Sequence, residues 1–147
     1  MRELERKFKL KYLPANTDEP VIIKQAYLLL QGPKHLRVRI IDDKTAFMTY
    51  KEVVSSVEKK EYEFAIPIEE ANELYENAQH KLVKKRYCSK FNNNQVDIDV
   101  YPNGLQVVEI EFEEELVELP DYCGDEVTGK KEYSNIGFAL SGKMKEF

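Results

Sequence analysis

The sequence predicts a mainly β protein, an antiparallel barrel or sandwich carrying one or two helices. Period-two alternation recurs along most of the chain, and residues that favour tight reversals separate the alternating runs. Only one long segment has helical spacing instead. With 147 residues, 42% of them hydrophobic, the chain can fill one modest core, and residues 1–147 are read as a single domain.

The alternating runs at 2–12, 23–30, 35–41, 46–53, 57–66, 86–91, 95–101 and 105–113 read as strands. In the first, Glu3, Glu5, Lys7, Lys9 and Lys11 fall on one side, with Leu4, Phe8, Leu10 and Tyr12 on the other. Gln31-Gly32-Pro33, Asp42-Asp43-Lys44, Asn92-Asn93-Asn94 and Pro102-Asn103-Gly104 supply the turns. Connections this short make the strands antiparallel. After Pro67, the spacing of Ala71, Leu74, Tyr75, Ala78 and Leu82 predicts an amphipathic helix over 69–81, packed on the outside of the sheet. Glu69 and Glu70 in its first turn, and Lys81 and Lys84 near its end, suit the helix dipole. Residues 114–132 read as an acidic and then turn-like segment, followed by a short helix over 134–142.

Net charge is −5, from 27 acidic and 22 basic residues, so the chain as a whole offers no attraction to a polyanion. No run approaches the roughly 18 apolar residues of a membrane span. The charged N-terminus lacks the apolar centre of a secretory signal. The expectation is a cytoplasmic protein with no membrane and no duplex nucleic acid among its partners. Cys88 and Cys123 form no CxxC pair and read as neutral thiols. His35 reads as a strand-start residue and His80 as helix surface.

The strands carry charged residues two apart, which project to one side: Glu3/Glu5, Arg37/Arg39, Glu61/Glu63, Asp97/Asp99 and Glu109/Glu111. Leu4, Val38, Tyr62, Ile98 and Ile110 sit between them, so the other side is apolar. Such dyads are either the wet face of a sandwich or the lining of a closed barrel. Like charges gain nothing from sharing a strand face, and their segregation exceeds what a mixed solvated surface requires. In a lumen, clustered carboxylates suit a divalent cation and clustered Arg and Lys suit an anion. A metal-complexed polyphosphate needs both, with carboxylate and phosphate oxygens around Mg2+ or Mn2+ and basic side chains on the phosphates. Neither GxxxxGK[ST] nor GxGxxG is present to cradle phosphate with backbone amides.

The opening Glu3-Leu4-Glu5-Arg6-Lys7 resembles the E-x-E-x-K signature of the CYTH superfamily, the triphosphate tunnel metalloenzymes. Further motifs follow in the family's order: Gln25-Ala26-Tyr27-Leu28, Arg37-Val38-Arg39, Thr49-Tyr50-Lys51, Glu61-Tyr62-Glu63 and Lys84-Lys85-Arg86-Tyr87. Asp99-Val100-Tyr101, Glu109-Ile110-Glu111 and Glu126-Val127-Thr128, leading to Tyr133-Ser134-Asn135, complete the set over nearly the whole chain. The resemblance implies a closed eight-stranded antiparallel barrel whose tunnel holds a triphosphate and one or two metal ions, Mg2+ or Mn2+. It implies phosphate contacts from Lys7, Arg37, Arg39, Lys51, Lys84, Arg86 and Lys131, and an acidic set of Glu3, Glu5, Glu61, Glu63, Asp99, Glu109 and Glu111. Glu3, Glu5 and Lys7 would serve catalysis, and Glu109, Glu111 and one N-terminal glutamate lead the metal ligands. The sequence departs from the family pattern at Lys59, where an Arg is common, and in the loop Gly129-Lys130-Lys131-Glu132, where more acidic character is usual.

The family includes inorganic and thiamine triphosphatases, RNA triphosphatases and class IV adenylate cyclases, so its fold alone does not fix the chemistry. Gln25-Ala26-Tyr27-Leu28 and Tyr133-Ser134-Asn135 resemble the short bacterial branch that hydrolyses inorganic triphosphate, and the absence of Trp weakens the thiamine reading. The resemblance therefore implies an inorganic triphosphatase acting on a small triphosphate-containing substrate. The alternatives are a class IV-type cyclase or a nucleoside or thiamine triphosphatase on the same fold. A non-catalytic polyphosphate-binding module, or an interaction protein with purely superficial dyads, stands further off. An apolar outer face of any size would favour a homodimer.

Overall fold

The computed structural model describes residues 2–116 and 118–147. Nine strands run β1 (Arg2–Leu10), β2 (Val21–Gln31), β3 (Lys34–Ile41), β4 (Thr45–Val53), β5 (Glu58–Ile66), β6 (His80–Phe91), β7 (Asn94–Val100), β8 (Gln106–Glu111) and β9 (Cys123–Glu126). Helix α1 (Ile68–Asn77) lies between β5 and β6; a 3-10 turn (Lys131–Tyr133) and α2 (Asn135–Ser141) follow β9. Among the described residues, no helix is long and apolar enough to cross a membrane.

The sheet order is β5-β4-β3-β2-β6-β7-β8-β1-β9, and a β5–β1 pairing closes eight of the strands into an antiparallel ring. The closure is short: Arg2, Glu3 and Leu4 face Lys60, Lys59 and Glu58. Beyond it, β9 pairs with Phe8 and Leu10 of β1. On the other edge of β1, Glu5 lies opposite Glu111 and Lys7 opposite Glu109. Two of the reversals use left-handed backbone at Asp42-Asp43 and Asn92-Asn93, residue types that tolerate positive φ in two-residue hairpin turns. The ring resolves the choice between sandwich and barrel. The charged dyads line a lumen, and the alternating apolar residues point outward.

Two apolar clusters cover the outside of the ring. Ala26, Val38, Ile40 and Ala46 pack beneath Ala71 and Tyr75 of α1. Phe8, Val96, Ile98, Val108 and Ile110 pack with Tyr122 and Leu116 of the segment that follows β8. A third cluster seals one end of the lumen, where the polar inward rows give way to apolar residues: Tyr27 on β2, Leu82 on β6, Tyr101 just after β7 and Val107 on β8. Val127, Phe138, Ala139 and Met144 pack on these four, so α2 acts as a plug. Its N-cap is Ser134, whose side chain accepts from the Gly137 N–H.

The helix expected over 69–81 ends at Asn77. Strand β6 begins at His80 rather than 86, so Leu82 and Lys84 belong to a strand and His80 is not on a helix. The helical spacing misleads because the residues from Ala78 to Lys84 do not alternate cleanly. Leu82 and Val83 are both buried, one toward the lumen plug and one outward, while Lys84 is buried on the inward row against Asp99, behind the lumen wall. Strand β9 was expected only as part of a turn-like segment; it is too short and polar to carry a periodic signal of its own.

Candidate active site

A cavity of about 600 Å³ occupies the lumen. One wall is basic. β3 projects Arg37 and Arg39 inward, β4 adds Lys51, β6 adds Arg86, and Lys7 and Lys131 complete the lining. The facing wall is acidic, with Glu3 and Glu5 from β1, Glu61 from β5, Asp97 from β7, and Glu109 and Glu111 from β8. A second cavity of about 790 Å³ opens beyond it, lined by Asn92–Gln95 and Glu113–Glu115. Glu3, Glu61 and Glu111 border both cavities and so mark where they meet.

Ion pairs hold the two walls in register. Lys59 meets Glu5 at 2.7 Å, Lys51 meets Glu3 at 3.4 Å, and Lys7 meets Glu109 at 3.4 Å. Arg86 forks onto Asp99, Nε to Oδ1 at 2.8 Å and an Nη to Oδ2 at 2.9 Å, and another Nη reaches Asp97 at 3.4 Å. Lys84 donates to Asp99 at 2.8 Å and to Asn135 Oδ1 at 3.4 Å, which Tyr101 also reaches at 2.6 Å. Arg39 Nε donates to Gln25 Oε1 at 3.0 Å, and Gln25 in turn donates to the Tyr27 hydroxyl at 2.8 Å.

The balance of charge differs between the walls. Burial, then repulsion from Arg37 and Arg86, pulls the Arg39 guanidinium down to about 10. Arg37, only 4% exposed, keeps its Nε without a partner among the described residues. On the acidic side, burial followed by the charges of Glu3, Asp97, Glu5 and Glu61 pushes Glu111 up to about 7. Burial and a hydrogen bond with Glu61 raise Glu3, whose Oε2 is buried and unpartnered. Burial and the nearby Glu109 carboxylate raise Glu5. The mismatch is local: Arg37 on the basic side and Glu111 on the acidic side lack an opposite-charge partner among the described residues, whereas at Glu109 the charges of Lys7, Lys84 and Arg86 outweigh burial and hold the carboxyl well below its usual range.

The oxygen-only donor set of Glu3, Glu5, Glu109 and Glu111, with Glu61 beside it, has the chemistry Mg2+ or Mn2+ takes, and the orphaned Glu3 oxygen adds to that fit. Among the described residues, no three metal-binding side chains are already drawn into a closed cluster. Lys7, Lys51 and Lys59 each hold one of these carboxylates instead.

Of the residues expected at phosphate, Lys7, Arg37, Arg39, Lys51, Arg86 and Lys131 border the cavity. Lys84 does not; it is fully buried behind the wall against Asp99. Of the acidic set, Glu3, Glu5, Glu61, Glu109 and Glu111 border it. Asp99 is spent on Lys84 and Arg86, while Glu63 is exposed and accepts from Thr49 at 2.8 Å. The sequence reading left Asp97, Lys59 and His35 out of the site, although all three line the cavity. Asp97 and Lys59 were legible, one as half of a dyad and the other by its alternation with Glu61. His35 carried only the faint signal of lying two residues before Arg37 on the same strand.

A family model described as the CYTH domain matches residues 1–136. The chain is 33% identical over 142 residues to the inorganic triphosphatase of Acetivibrio thermocellus, an alignment covering 91% of this chain and 90% of that one. It is 29% identical over 150 residues to the inorganic triphosphatase of Nitrosomonas europaea, covering 96% of this chain and 99% of that one. The solved structure of the inorganic triphosphatase NE1496 superimposes with a TM-score of 0.66 at 29% identity, over 93% of this chain and 97% of that chain.

Proposed function

The chain belongs to the CYTH domain family, and from that membership we propose that it is an inorganic triphosphatase, hydrolysing a phosphoanhydride bond of tripolyphosphate with Mg2+ or Mn2+. The observation that carries this reading is the meeting of a basic and an acidic wall in one cavity, with the buried Arg37 Nε and Glu3 Oε2 each left without a partner among the described residues. A metal triphosphate supplies both deficits at once.

Arg37 and Arg39 bind phosphoryl oxygens through their guanidinium N–H groups, Arg86 through the N–H groups that Asp99 leaves free, and Lys7, Lys51 and Lys131 as point charges. Glu3, Glu5, Glu109 and Glu111 would hold the cation, with Glu61 beside them. When bound, the cation supplies Lewis-acid neutralisation of phosphoryl oxygens. Lys7, Lys51 and Lys59 pair with Glu109, Glu3 and Glu5, which keeps the walls ordered without substrate, and would be free to turn to phosphate were those carboxylates to hold a cation. Glu5 or Glu3 orients the attacking water toward a terminal phosphorus, and the fixed basic wall offsets charge on the leaving phosphate. Asp99, Lys84 and Gln25 act behind the wall by fixing Arg86 and Arg39. Every side chain in this scheme comes from one chain, so the chemistry does not require a homodimer.

Phosphate release from tripolyphosphate, ATP and thiamine triphosphate with Mg2+ and Mn2+ tests the reading. Tripolyphosphate is expected to be turned over fastest, and Glu5→Gln to lose about 100-fold or more. Equal release by the variant would sink the acidic wall as the metal site. Cyclic AMP formation from ATP without tripolyphosphate turnover would replace hydrolysis by cyclisation.

A further inference from the structure

His35 is an unspent polar group in the basic half of the cavity. It is 5% exposed, borders the cavity, and has no hydrogen-bond partner on either ring nitrogen among the described residues. Buried polar groups are nearly always satisfied, and leaving one unmade costs roughly 1–3 kcal/mol. Two such groups on one ring point to a ligand. The ring is held rather than loose. It packs edge-on against Tyr27, with centroids 5.5 Å apart and planes at 76°, and sits opposite Lys51 in the β3–β4 register. Arg37 is two residues along β3 and therefore on the same side.

We propose that His35 is a neutral hydrogen-bonding anchor for a phosphoryl group in this cavity, and a determinant of which phosphate anion binds there. The proposal rests on the triphosphatase reading for its ligand, but its test does not depend on turnover. Burial, then the charges of Arg37, Lys51 and Lys59, pulls the imidazole down to about 3, so it enters the site uncharged. A neutral imidazole has one N–H donor and one bare nitrogen. The N–H donates to a phosphoryl oxygen. The bare nitrogen accepts from a P–OH or from water carried on the phosphate. Neither adds charge to a wall already crowded with cations, so His35 contributes direction where Arg37 and Lys51 contribute attraction. A phosphoryl group whose oxygens are esterified offers fewer partners to this ring than a free terminal one.

The test is isothermal titration with tripolyphosphate and no divalent metal, comparing wild type, His35→Phe and His35→Gln. His35→Phe keeps the edge contact with Tyr27 and is expected to bind about tenfold more weakly, while His35→Gln, which keeps a donor and an acceptor, stays within about threefold. Affinity unchanged in a folded His35→Phe would overturn the proposal. If that variant does not fold, imidazole 15N shifts of the wild type decide the matter, since the chain has only 2 histidines. The His35 resonances should move on addition of tripolyphosphate while those of His80 stay; unmoved His35 resonances overturn the proposal. Wild-type binding in this titration, together with no phosphate release once Mg2+ or Mn2+ is added, would instead defeat the triphosphatase reading and leave His35 as an anchor.

Discussion

Asp99 and His35 show how burial assigns different duties to residues in the same lumen. Asp99 is 1% exposed and held down to about 2, burial being outweighed by Arg86 and Lys84. Its charge is spent on those two partners, which makes it a positioning residue. Asp99→Asn is expected to cost about 3 kcal/mol in urea unfolding, because two buried cations lose their counter-charge. Mn2+ binding by calorimetry should remain near wild type in Asp99→Asn and weaken at least tenfold in Glu3→Gln. His35 makes a different prediction. Its folded value lies below that of the unfolded chain, so its stability contribution is present above pH 6.5 and lost as pH falls toward about 3. Between pH 7 and pH 5 the wild type should lose about 1–2 kcal/mol more than His35→Phe, measured by urea midpoints. An equal loss would mean that burial, with Arg37, Lys51 and Lys59 beside it, does not hold the ring neutral.

Among the elements, α2 does the most to shape the cavity, because it seals the apolar end of the lumen. Lys7 Nζ donates to Tyr133 O at 2.9 Å, so a residue of the basic wall also ties down the turn leading into the helix. Gly137 has no room for a side chain: a Cβ there would lie 2.5 Å from the Lys131 carbonyl oxygen, which is backbone. Gly137→Ala is therefore expected to cost about 2 kcal/mol and to speed hydrogen exchange over 134–141, leaving exchange in β3 and β4 unchanged. The sequence made the strands legible wherever one row is charged and the next apolar, as in Glu3-Leu4-Glu5 or Arg37-Val38-Arg39. It failed at β6, where Leu82 and Lys84 share the inward row and a buried lysine looks like a helix-terminal cation. It failed at β9 because four residues owe their strand form to the free edge of β1. Most of the charged lining of the cavity was legible because dyads on one side of a strand need a reason. Asp99, Lys84 and Glu63, expected at metal or phosphate, do not border the cavity, and nothing in a dyad says which member reaches it and which is consumed behind it.

In the molecule as a whole, a net charge of −5 coexists with a basic wall that is enclosed by the ring. Tripolyphosphate must therefore be drawn in by local rather than overall charge, and local attraction is screened by salt. Raising KCl from about 0.05 to 0.5 M is expected to lower kcat/KM several-fold while changing kcat less. A kcat/KM insensitive to salt would place the phosphates away from the Arg37–Arg39 wall. The closure of the ring also bears on timing. The partners of β1 lie at residues 58–60, 107–111 and 123–126, so its neighbours are spread across most of the chain. Glu3, Glu5 and Lys7 are thus made by the ribosome before every strand that will hold them, and such distant pairings form slowly. A nascent chain that stops short of β8 has all three catalytic candidates and the basic residues of β3, β4 and β6, but lacks Glu109 and Glu111 and the β8 edge that pairs with β1. The molecule cannot begin to spend phosphoanhydride bonds until its synthesis is nearly done.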